Sequence, residues 1–173
     1  MRLVRTMLFL LLPTVWFCIK SDPIESMCLW LRVDQTFFHL PPPDKFQLFL
    51  KRDLELHFSS EVPSVRVEYE QLNIVPSQVG VGWPKYFLWV RIFSRNKLVN
   101  EGAAKVAGIS REKFLVQDFY SKEQLNKYPL SLRHNFAYKY VAEVFNRAGI
   151  EKKRAEQALA VMRQDLEDQE KGD

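Results

Sequence analysis

Seven of the eight residues from Tyr86 to Phe93, Tyr-Phe-Leu-Trp-Val-Arg-Ile-Phe, are apolar or aromatic, the richest such run in the 173-residue chain outside its N-terminus. Successive side chains of a strand point to opposite faces, so an apolar run without alternation needs cover on both sides. The run is expected as the central strand of a sheet. The stretch before it behaves differently: Val65, Val67 and Tyr69 alternate with Arg66, Glu68 and Glu70, as in a half-buried strand. Gly80, Gly82 and Pro84 break the chain between the two. Asn96 marks a turn, a strand with small alanines is expected over Gly102 to Ile109, Ser110 to Glu112 turn again, and Phe114 to Tyr120 form the last strand. Connections this short join antiparallel neighbours, so the four strands read as a meander.

Helices are expected on either side of the meander in sequence. Over Lys45 to Phe58, six of the seven even positions from 46 to 58 are apolar, which is a strand pattern. The residue types are Leu, Lys, Arg, Gln, Glu and Asp, without a β-branched residue, and these favour helix. Phe46, Phe49, Leu50, Leu54 and Leu56 also share one face at 100° per residue, and Asp44 is placed to cap the helix, so helix is preferred. After the sheet, Ser121 and Gln124 form a capping box for a short turn. Pro129 opens a helix over Leu130 to Ala148 that Gly149 ends. Its Tyr140, Val144 and Phe145 are expected to pack against Leu88, Val90 and Ile92. Glu151 to Asp173 is a charged helical tail with a short seam of Ala155, Leu159, Met162 and Leu166, suited to docking on a partner or on its own domain. It offers few large apolar residues, so its deletion is expected to change stability little. The fold class is therefore α+β: one helix, a four-stranded antiparallel meander and closing helices. By element order alone this resembles cystatin-like and related cone-shaped folds; the resemblance fixes no residue and no function.

The first twenty residues place the protein. Arg2 and Arg5 precede thirteen residues, Met7 to Ile19, in which only Pro13 and Thr14 are not plainly apolar. That length is short for a membrane-spanning helix, which needs roughly 20 residues, and matches the core of a signal peptide. No Ala-x-Ala cleavage motif follows, so a retained anchor through residues 3–19 and a cleaved signal both remain open. Either way the rest of the chain is expected outside the cytoplasm, anchored at the inner membrane or released into the periplasm or medium. The chain then divides into a signal or anchor over 1–20, a linker with the Pro41-Pro42-Pro43 spacer over 21–43, a globular domain over 44–150 and a tail over 151–173. Neither cysteine follows the small residue that precedes a lipidated cysteine, and Cys28 is left without a partner if Cys18 is removed.

Charge and motifs exclude more than they identify. The formal net charge is +4, but Arg2, Arg5 and Lys20 lie in the first twenty residues with no acid, which leaves 22 basic against 21 acidic groups beyond them. A nucleic-acid partner is not expected from so balanced a domain. A local excess of Lys and Arg spans Lys85 to Lys113 and is read as solvent-facing strand charge. His39, His57 and His134 lie far apart, and the chain has no His-Glu-x-x-His, Cys-x-x-Cys, Gly-x-Ser-x-Gly or phosphate-binding glycine loop, so no metal or cofactor is expected.

Three weak constellations remain. Asp53 and His57 are an i, i+4 pair inside the apolar arc of the 44–58 helix, where a buried carboxylate could orient an imidazole as a general base. No activated nucleophile or oxyanion donor accompanies them. Glu68 and Glu70 share a strand face in a similar mimicry of a carboxylate pair. Trp83, held between Gly82 and Pro84, is expected to be partly exposed and to form a binding surface with Lys85 and Arg91. The function preferred on these grounds is a non-enzymatic, exported or anchored envelope protein that binds another protein, with the 151–173 tail as one route. The alternatives are a small hydrolase-like enzyme using Asp53 and His57, and a carrier holding a small ligand on the concave sheet face.

Overall fold

The computed structural model describes residues 40–73, 76–77 and 82–172, so the N-terminal export segment, the 29–33 alternation and Cys28 lie outside the described residues. Helix α1 (Pro43–Phe58) is followed by strands β1 (Val65–Gln71), β2 (Lys85–Ser94), β3 (Lys97–Ser110) and β4 (Lys113–Ser121). Helix α2 (Lys122–Lys127), a 3-10 turn (Pro129–Leu132), α3 (Tyr138–Ala148) and α4 (Lys152–Gly172) close the chain. The sheet runs in the order β1-β2-β3-β4 and every pair is antiparallel, so the α+β meander stands as the sequence implies.

Two turn positions set this topology. Arg95 and Asn96 join β2 to β3 and both have positive φ, as a two-residue turn matched to strand twist requires. At Gly102 in β3 a Cβ would stand 2.1 Å from the Tyr120 carbonyl oxygen, so only glycine lets β4 approach there. With the turn at Arg95-Asn96, β3 begins at Lys97 rather than Gly102, and Lys97 to Glu101 extend the ladder along β2.

The sheet is buried on both faces by different helices. Leu50, Leu54 and Phe58 of α1 lie over Val67, Leu88, Val90, Ile92, Ala104 and Val106. The opposite face carries Phe87, Trp89, Ala103 and Tyr120 under Leu125, Leu132, Phe136, Val141, Val144 and Phe145. This corrects the expected pairing of α3 with Leu88, Val90 and Ile92: those residues face α1, and α3 covers their odd-numbered neighbours. Side-chain parity along a strand tells which residues share a face, but not which helix comes to that face.

Three helix assignments also change. Asp44 does not cap α1; Pro42, extended at φ −52° and ψ 144°, precedes a helix that starts at Pro43, and Asp44 sits in the first turn near the positive helix end. Leu56 is 69% exposed, and the buried stripe runs through Leu50, Asp53, Leu54 and Phe58. The continuous helix expected over 130–148 is divided, with Ala137 extended at ψ 125° before α3. Across the break Asn135 donates to the Tyr120 hydroxyl at 2.6 Å, and Phe136 turns into the ring of Phe87 at 4.7 Å. Gly149 ends α3 in the left-handed conformation at φ 71°. Beyond it α4 packs back on the domain through Ala158 and Met162, both buried with the second core.

Candidate functional site

Asp53 projects from the buried side of α1 toward the start of β4. Its Oδ2 accepts the Phe114 backbone N–H at 2.7 Å and its Oδ1 accepts Arg52 Nε at 2.8 Å. The first of these hydrogen bonds raises nothing catalytic; it supplies a partner for a buried amide and ties the helix to the sheet. The bond to Asp53 pushes the Arg52 guanidinium still further toward its charged form. His57 is exposed, one turn on, and its ring meets Phe58 edge-on at 4.9 Å. The two residues thus share a helix but turn to different surroundings, one to β4 and one to solvent.

Glu68 and Glu70 are held by arginines instead of by each other. Arg66 reaches Glu68 at 2.6 Å, Arg91 lies 3.4 Å from Glu68 and 3.9 Å from Glu70, and Arg147 of α3 bonds Glu70. The Arg147 contact holds the Glu70 carboxyl below the usual carboxylate range. Arg91 is therefore part of a charge lattice that joins β1, β2 and α3. Lys105 is similarly matched by Asp118 at 3.6 Å, which accounts for part of the excess of basic residues between Lys85 and Lys113.

Trp83 and Lys85 occupy the far end of β2 from Arg91. Six residues of strand separate Lys85 from Arg91, roughly 20 Å, so the three do not form one surface. Trp83 is 50% exposed at the turn. Lys85 is half-buried; burial, and then the charge of Lys105, push its amine below the ordinary lysine value. Its backbone pairs with Ser77 at 3.0 and 3.1 Å, which fixes the strand entry beside the tryptophan.

A cavity of about 660 Å³ opens on the α1 face of the sheet, and no motif in the sequence announces it. The Pro41-Pro42-Pro43 run, read from the sequence as a spacer, forms one wall as it enters α1. Phe46 also lines it, edge-on to Tyr86 at 5.1 Å and to Phe114 at 5.0 Å. Gln47, Gln71 and Arg111 supply the polar lining, and Gln47 is bonded by the Tyr69 hydroxyl. Tyr86 is only 3% exposed, and burial pushes its hydroxyl up to about 12, so it is neutral at physiological pH and able to donate. These residues come from positions 40 to 111 of the chain, and only the crossing of α1 over the sheet brings them together.

Among the described residues no group of three or more His, Cys, Asp or Glu side chains is placed to hold a metal ion. None of the described helices is long and apolar enough to cross a membrane. No protein-family model, curated protein or solved structure matches the chain.

Proposed function

We propose that the chain is a non-enzymatic, exported envelope protein, anchored by or exported through residues 1–20, whose α+β domain binds another protein. The observation that carries this is Trp83. A large aromatic side chain held half-exposed between Gly82 and Pro84, beside the partly desolvated Lys85, has the amphipathic character of a binding hot spot. The hydrolase-like alternative has less support, because Asp53 is engaged by Phe114 and Arg52 while His57 faces solvent.

The test is a photo-reactive residue in place of Trp83 in the full chain, expressed in its own cells. A discrete cross-linked adduct in the envelope fraction is expected, with none from the same label at the exposed Leu56 of α1. Equal labelling from both positions, or none, would remove the proposal. A reporter fused after Asp173 should work only outside the cytoplasm.

A second reading, a small-ligand carrier, is favoured by one observation. The cavity beside Tyr86, open to solvent, has a volume of about 660 Å³, and ligand pockets typically span about 300–1,000 Å³ with a few convergent polar groups in an apolar lining.

A further inference from the structure

Helix α4 packs on the domain through one face only. Ala158 and Met162 are buried with the second core, while Arg154, Gln157, Val161, Gln164 and Asp168 are all exposed. Their spacing of three, four, three and four residues places them in one stripe along the helix. Val161, 41% exposed, stands at the middle of that stripe. Beside it lies a cavity of about 210 Å³ bounded by Pro129 and Leu130 of the 3-10 turn and by Arg154, Gln157, Ala158 and Val161 of α4. Leu130 is 43% exposed and the adjoining Tyr128 57%, so turn and stripe together present an apolar patch between charged ends.

The charges on α4 run in an order that a lone helix disfavours. Lys152, Lys153 and Arg154 occupy the first turn, where the helix dipole is positive, and no acidic residue accompanies them there. Asp165, Glu167 and Asp168 lie in the C-terminal half. Within the chain Asp165 is matched by Arg133, Lys152 by Glu156 at 4.0 Å, and Arg154 gives one nitrogen to the Asn126 carbonyl at 2.8 Å. A guanidinium has five N–H donors, so that bond leaves others for an acid. A second α4 running antiparallel reverses the order, and its acidic half meets this basic end. Arg154 and Asp168 each lie seven residues, about two turns, from Val161, so a two-fold axis through Val161 brings each Arg154 to the Asp168 of the other copy. A parallel copy would set like charges together.

We infer that two copies of this chain associate through an antiparallel, two-fold contact between their α4 helices, with Val161 on the axis, Leu130 beside it and Arg154 of each copy facing Asp168 of the other. In such a contact the same patch serves both sides. Apolar side chains of the second copy enter the cavity beside Leu130 and cover Val161, removing from water the surface that a single copy leaves open. The contact uses no residue of the Trp83 surface, so its failure leaves the proposed function standing.

The test uses the full chain in detergent micelles, with Cys18 and Cys28 replaced by serine so that one introduced cysteine reports alone. Val161→Cys places two thiols at the axis, within reach of a disulfide. Mild oxidation should then give a linked dimer about tenfold or more in excess of that from Leu56→Cys, at a position 69% exposed on α1. Added to Val161→Cys, either Arg154→Asp or Asp168→Arg alone sets like charges together at both ends of the contact and should lower the yield roughly tenfold. The two together exchange the charges and should restore it, which also shows that neither single change acts by unfolding the chain. Equal yields from the two cysteine positions, single changes without effect, or a double variant no better than the single ones overturns the inference.

Discussion

At Asp53 both carboxylate oxygens already have partners, the Phe114 amide at 2.7 Å and Arg52 at 2.8 Å. Asp53→Ala leaves a buried N–H unsatisfied, which costs about 1–3 kcal/mol, whereas His57→Ala on the exposed side should stay within about 0.5 kcal/mol. Denaturant unfolding of the two variants measures the difference. Equal costs would mean that the helix-to-strand tie is not what holds Asp53. Tyr86 allows a second measurement at this scale. Its folded pKa is raised by burial to about 12 from an ordinary value near 10, so the folded state holds its proton where the unfolded chain has lost it. Its contribution to stability is thus intact below pH 10 and declines as pH rises through about 12. Tyr86→Phe should flatten that alkaline decline in a pH series of unfolding midpoints, and an unchanged slope would assign the decline to other groups.

Strand β2 belongs to two cores at once, and its pleat separates them. Phe87 and Trp89 lie with α3 and α4, while Tyr86, Leu88, Val90 and Ile92 lie with α1. Substitutions across the sheet should accordingly be independent. Leu88→Ala and Phe145→Ala should each cost several kcal/mol, about 2–5 and 3–5 respectively, and their double variant should be additive within about 0.5 kcal/mol. Phe87 and Phe136, with ring centroids 4.7 Å apart, should instead show coupling of about 0.5–1.5 kcal/mol in a cycle of leucine substitutions. Strong coupling between Leu88 and Phe145 would contradict the assignment of the two faces. The broken helix before α3 belongs at the same scale: of the apolar face read over 130–148, Leu132, Phe136, Val141, Val144, Phe145 and Ala148 are buried and Tyr140 half-buried, although the turn at 133–137 divides the helix.

At the scale of the molecule, α4 bears on how far the domain extends. Ala158 and Met162 are 6% and 3% exposed, Ala155 and Leu159 pack beside them, and Arg133 forms an ion pair with Asp165. The ion pair is partly solvated and contributes little; the burial of Met162 matters more. Truncation after Ile150 should therefore lower stability by at least about 2 kcal/mol, contrary to the small effect expected from its charged sequence. An unchanged unfolding midpoint would show the tail to be separable after all. Of the seam expected from the sequence, Ala155, Leu159 and Met162 pack on the domain while Leu166 is exposed, and its single-sided spacing reads alike for a partner and for the chain's own core.

By itself the sequence determined the elements whose cause is local: the alternation of β1, the nearly continuous apolar run of β2, the Asn96 turn, the Ser121 cap and the Gly149 stop. Each depends on side-chain period or on backbone conformations a single residue permits, and these are carried by neighbours in the chain. Only the tertiary structure decided which helix covers which face of the sheet, that Asp53 answers the Phe114 amide sixty-one residues away, and that Pro41 to Pro43 wall a cavity with Tyr86 and Arg111. Those outcomes depend on how rigid elements cross in space, and no local pattern of residues records that crossing.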